Sequence, residues 1–129
     1  MKKLTREWLR KAESDYQMAL LCKKSGLAVH DGICFHCQQC AEKYLKGLLQ
    51  ELGISFPRTH DLEALQAQLL PHYSTLKSVG RGLAFLNDFA VEGRYPGKRV
   101  SKRQAAAALR WADIVRTVAR AVLGLRAKP

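Results

Sequence analysis

The chain has 129 residues, with 22 Lys plus Arg against 11 Asp plus Glu, a net charge of +11 at pH 7. Hydrophobic residues make up 47% and charged ones 26%, which excludes wholesale disorder. The length fits one domain over residues 1–129, with a core over about 4–124 and a basic tail at 125–129. Its apolar runs fall short of the roughly 18 residues a membrane span needs. No signal-peptide pattern opens it, so an intracellular protein is expected.

The charge is uneven. Residues 1–92 carry a net +2 and residues 93–129 a net +9. The plain reading is a solvated helix face with a basic tail. The sharper one is a surface for phosphate or an acidic partner.

Leu4, Trp8, Leu9, Ala12, Tyr16, Ala19 and Leu20 recur at helical spacing, predicting a first helix that ends near Ser25-Gly26. A second helix is expected from about Asp31 to Leu52. Its apolar stripe is Cys34, Cys37, Ala41, Leu45, Leu48 and Leu52, with His36, Gln39, Lys43, Lys46 and Gln50 opposite. Gly53 suits a left-handed helix end. A short third helix follows from about His60 to Leu70, opened by the cap-forming Thr59-His60-Asp61 and closed by Pro71. The fourth is expected over about Ser74 to Val91, with Leu76, Val79, Leu83, Leu86 and Ala90 inward. The last runs from Ser101 to about Leu125. It opens on a capping box, Ser101-Lys102-Arg103-Gln104, with Arg110, Arg116 and Arg120 on its polar side. Four long helices and one short one, with no strand alternation, predict an all-α, up-and-down antiparallel bundle.

Cys34, Cys37 and Cys40 are spaced like half an iron–sulfur or zinc signature. A ferredoxin-type run would place a fourth Cys where Tyr44 stands. As a helical stripe the three read instead as small buried hydrophobes, and no metal site is expected. Gln38 borders the apolar stripe and would need partners if turned inward. Glu42 and Lys46 form an (i, i+4) pair, which on a surface contributes little. His60 suits a loop-fixing role. Arg94 suits a phosphate and Tyr95 a base. Lys98, Arg99, Lys102 and Arg103 follow at once.

In order, Trp8-Leu9-Arg10-Lys11-Ala12 with Asp15, Phe35-His36-Cys37-Gln38-Gln39-Cys40-Ala41-Glu42-Lys43 with Leu45-Lys46, His60-Asp61-Leu62, and Arg94-Tyr95-Pro96 resemble a HEPN domain of the prokaryotic type. The resemblance implies a helical bundle, often dimeric and cytoplasmic. It also implies a proposed nucleotide-binding role and frequent pairing with a minimal nucleotidyltransferase in a toxin–antitoxin-like system. Many HEPN proteins are metal-independent RNases with an R-x4–6-H motif near the last helix. Here Arg94-Tyr95-Pro96 occupies that region and no His follows residue 72. The expectation is therefore a non-catalytic protein, without a cofactor, that binds a nucleotide such as ATP or a nucleotidyltransferase partner, as a homodimer. Gln38, Glu42, Lys46, His60, Asp61, Arg94 and Tyr95 are its candidate binding surface. Lys98, Arg99, Lys102 and Arg103 are its docking cations for an anionic partner. Two rival readings are an RNase toxin in which His36 or His60 meets Arg94, and a basic RNA-binding adaptor using 98–126.

Overall fold

A computed structural model describes residues 1–91, 96–97 and 99–128. Its helices are α1 (Lys3–Lys24), α2 (His30–Leu52), α3 (Leu62–Leu69), α4 (Gly80–Asn87) and α5 (Lys102–Val122), with a 3-10 turn at Ser74–Val79 before α4. There is no strand among the described residues. No helix among them is long and apolar enough to cross a membrane.

The turns between helices follow from local chemistry. Gly53 adopts φ 71°, and the N–H groups of Gly53 and Ile54 close α2 by donating to the carbonyls of Gln50 and Leu49. Asp61 caps α3 by accepting from the N–H groups of Glu63 and Ala64. Ser101 and Gln104 form the expected reciprocal capping box of α5. At the other end of the first hairpin, Glu51 Oε1 accepts from the Lys2 N–H and the Thr5 hydroxyl, both at 2.9 Å. The start of α1 thus meets the end of α2, and the two run antiparallel. These two hydrogen bonds hold the Glu51 carboxyl below its usual range.

α2 is the central rod. It packs against α1, α3, α4 and α5, and thirteen of its 23 residues are buried. The solvent face expected opposite the cysteine stripe is therefore largely covered, and Lys46 is 7% exposed. A helix surrounded on several sides keeps polar residues only where they pair with one another.

The fourth segment also departs from expectation. Leu76, Val79, Leu83 and Leu86 are buried as read from the sequence, but Ala90 is only partly so and Phe89 is buried beside it. The helix over 74–91 is shorter, however, and changes pitch. Ser78 Oγ donates to the Thr75 carbonyl, and Gln66 Nε2 donates to the Leu76 carbonyl at 2.9 Å. These bonds compete with α-helical pairing across the 3-10 turn. At the far end, Asn87 turns back to α3, accepting from the Leu62 N–H and donating to Asp61. Gly82 permits α4 to lie directly on α5, since a Cβ there would stand 2.2 Å from Trp111 Cε3.

Candidate functional site

Four of the candidate binding residues meet in one network. The Glu42 carboxylate, on a residue 3% exposed, accepts from Lys46 Nζ at 2.9 Å, His60 Nδ1 at 2.8 Å and Gln38 Nε2 at 3.3 Å. Gln38, fully buried, also donates to the His60 carbonyl at 3.0 Å and accepts from Gln39. The Lys46 ammonium lies 5.8 Å from the Trp8 ring centroid and 6.0 Å from that of Phe56, where the ring faces add cation–π attraction. The Glu42–Lys46 pair is thus an interior pair, not the surface pair that its spacing alone suggests. His60 is the solvent-facing member, its side chain 64% exposed, and it ties the loop before α3 onto α2.

Asp61 stands apart from this network. Its carboxylate is spent on the α3 cap and on Asn87, and the Asn87 amide and the Ala64 N–H hold its pKa below the usual range. Arg94, Tyr95 and Lys98 lie outside the described residues. Arg99, Lys102 and Arg103 are exposed, as is Arg110.

Two further polar clusters join helices. Asp15 on α1, itself 8% exposed, accepts from His36 Nδ1 at 2.8 Å and from Lys43 Nζ. Arg116 on α5 is 2% exposed, although its sequence neighbours suggest the polar side. It grips Glu13 through Nε at 2.8 Å and Nη2 at 2.6 Å, donates to Asp113 at 2.8 Å, and stacks 3.9 Å from the Tyr16 ring centroid. The Tyr44 hydroxyl donates to the same Glu13 carboxylate. Burial works to raise the Glu13 pKa, but the hydrogen bonds from Arg116 and Tyr44 outweigh it and hold the carboxyl below its usual value. Burial and the Glu13 bond push the Tyr44 hydroxyl up.

Helix spacing carried a signal for both clusters. Asp15 falls between the buried Ala12 and Ala19, and Arg116 between the buried Ala112 and Ala119. A charged residue three or four positions from core residues on both sides is forced inward.

Cys34, Cys37 and Cys40 are fully buried in the core. Burial pushes the Cys37 and Cys40 thiols well up, which removes thiolate character. The placement agrees with small hydrophobic side chains filling a helix interface.

Residues 5–122 match the family model described as the HEPN domain. Among solved structures, the chain is similar to ST0689, an archaeal HEPN homologue. The identity is 26% over 95% of this chain and 99% of that one, with a TM-score of 0.76. Its fold is also that of TT1696 from Thermus thermophilus, with 23% identity over 93% and 98% of the two chains and a TM-score of 0.79. No curated protein shows significant similarity to the chain.

Proposed function

We propose that this chain, which belongs to the HEPN domain family, is a non-catalytic binding protein. It takes a nucleotide such as ATP, or a nucleotidyltransferase partner in a toxin–antitoxin-like pair, and it acts as a homodimer in the cytoplasm. The state of its cations supports this reading best. The buried charges Asp15, Glu42, Lys46 and Arg116 are all matched internally. Arg99, Lys102, Arg103 and Arg110 are exposed and form no ion pair with any described residue. Cations without a counter-charge keep their attraction for the phosphate or carboxylates of a partner.

The Gln38–Glu42–Lys46–His60 network fixes the exposed His60 imidazole at the loop before α3. The sequence has no His after residue 72, so the Arg94 region lacks the general acid–base that the family's RNases use there.

The test is calorimetry with ATP on the protein and on Lys102→Ala/Arg103→Ala, together with identification of co-purifying proteins. The double variant is expected to bind about ten-fold more weakly, with salt-sensitive affinity. Equal affinity would remove these side chains from the site. A co-purifying nucleotidyltransferase would establish the partner.

One observation favours a second reading, an RNase with an atypical site. Asp15 holds His36 through Nδ1, which leaves Nε2 as an acceptor in the manner of an oriented general base. Cleavage of cellular RNA in EDTA that disappears in His36→Ala would support it, and absence of cleavage would retire it.

A further inference from the structure

α1 and α5 both pack along α2 but touch each other little. The seam between them is open as a groove of about 720 Å³, whose lining includes Leu9, Arg10, Glu13, Met18, Arg120 and Lys128. A second hollow of about 350 Å³, lined by Met1, Arg6, Leu9, Arg10 and Leu125, shares two of these residues and continues the groove toward the start of α1. Both methionines of the chain therefore lie on this surface, Met1 42% and Met18 45% exposed.

The charge on the groove is one-sided. Arg6, Arg10 and Lys128 are exposed, and neither they nor Arg120 form an ion pair with any described acid. Arg6 donates to the Met1 carbonyl at 2.9 Å and Arg120 to the Arg126 carbonyl at 2.7 Å. A carbonyl orients a guanidinium but leaves its charge unmatched. The acid in the lining, Glu13, has both oxygens taken by Arg116 and Tyr44, and Arg120 acts on it only through its longer-range charge.

The shape narrows the occupant. Arg6, Arg10, Glu13 and Gln17 follow one stripe of α1, so the groove runs along the helix. From Arg6 to Met18 it extends about 18 Å, the length of about three helical turns. Aliphatic and thioether side chains flanked by cations match an amphipathic helix with acidic flanks. Other occupants match less well. No aromatic side chain lines either hollow, so the bases of an RNA strand find no stacking platform. A second copy of the chain brings a net +11 against these cations. A small anion would leave the apolar side chains in water.

We propose that the α1–α5 groove is a docking surface for an acidic amphipathic helix of a partner protein. The apolar face of that helix rests on Met1, Leu9, Met18 and Leu125, and its carboxylates meet Arg6, Arg10, Arg120 and Lys128. Arg120 and Lys128 lie at and beyond the end of α5 opposite Lys102 and Arg103. The docking surface thus goes beyond the reading above and holds whether or not a nucleotide binds at the start of α5.

The experiment follows the methionine methyl resonances of the full chain during titration with a panel of helical peptides about three turns long. The peptides carry leucines on one face and glutamates on both flanks, and matched panels carry glutamine or lysine in place of glutamate. The glutamate peptides are expected to shift both methyl signals, with the glutamine and lysine panels binding about ten-fold more weakly or worse. Arg10→Glu should weaken the glutamate peptides about ten-fold or more, whereas Lys77→Glu should change them by less than about two-fold. Lys77→Glu makes the same change in net charge on the exposed 3-10 turn, which packs against α3, α4 and α5 rather than α1. Arg10→Glu/Arg120→Glu should reverse the preference in favour of the lysine peptides. Circular dichroism checks that each variant folds.

Equal losses in Arg10→Glu and Lys77→Glu overturn the proposal, because attraction would then be to the protein's charge at large. Methyl signals that stay in place with every glutamate peptide also overturn it. An oligouridylate that shifts both methyls and binds more tightly than the glutamate peptides makes the groove an RNA surface instead. A dimer in sedimentation that is lost in Met18→Asp gives the groove to a second copy and equally removes the acidic partner.

Discussion

Glu42→Ala tests whether the central network holds the fold or waits for a ligand. The carboxylate is 3% exposed and the Lys46 beside it 7%. Removing one member of such a pair leaves a buried ammonium without its counter-charge, which costs about 3–5 kcal/mol. The Trp8 and Phe56 faces 5.8 and 6.0 Å from Lys46 Nζ contact the ammonium with or without Glu42, so they leave this difference unchanged. Losing the His60 contact adds little, because that side chain is 64% exposed. Gln38 keeps the His60 carbonyl and Gln39 as partners. The expected loss is therefore about 3–5 kcal/mol, a large part of the roughly 5–15 kcal/mol that stabilises a domain. Urea unfolding should show a lower midpoint with an unchanged slope. Glu42→Leu/Lys46→Met, which removes both charges, should recover most of the loss. Stability within about 0.5 kcal/mol of wild type, with nucleotide binding abolished, would refute the reasoning and make Glu42 a ligand group.

Arg116→Met should cost about 3–5 kcal/mol, because it strips Glu13 of two hydrogen bonds inside the bundle. The Glu13 carboxyl is held below its ordinary 4.5. Its contribution is full above pH 4.5 and is lost as pH falls through the depressed value, so the variant should show a shallower acid limb of stability against pH. Gly82→Ala drives a Cβ to 2.2 Å from Trp111 Cε3 and should lower the thermal midpoint, at a cost of about 1–3 kcal/mol. The strain should shrink in Gly82→Ala/Trp111→Ala, and a purely additive double variant would argue against direct contact. Cys37→Ser should destabilise by about 1–3 kcal/mol, because it puts a hydroxyl where a fully buried thiol sits. In the native protein a thiol reagent should label the partly exposed Cys22 ahead of the three core cysteines. Fast labelling of Cys37 would contradict its burial.

Periodicity was informative wherever one helix face alone meets the core. In α1 the stripe holds at Leu9, Ala12, Tyr16 and Ala19, although Leu4 is 53% exposed, and the Gly53 end of α2, the Asp61 cap and the Ser101 capping box are local decisions of backbone sterics and short-range hydrogen bonding. The family resemblance was legible for a related reason. It rests on short runs of residue types, and the match over residues 5–122 covers those same runs. The sequence also placed Gln38, Glu42 and Lys46 on neighbouring turns of one helix, although it was silent on what would cover them.

Local pattern was enough to specify an all-α chain, its helix caps, the cysteines as core filler and the concentration of charge after residue 92. Which charges face inward was settled by packing. Lys46 stands at a position whose exposure depends on how many neighbours its helix has, and α2 has four, whereas the spacing of Asp15 and Arg116 from core residues already hinted at their burial. The pitch change before α4 was likewise set by partners from elsewhere, Gln66 at a carbonyl and Trp111 against Gly82. Helix spacing reports one helix's own periodicity, whereas burial and pairing are properties of several helices packed together.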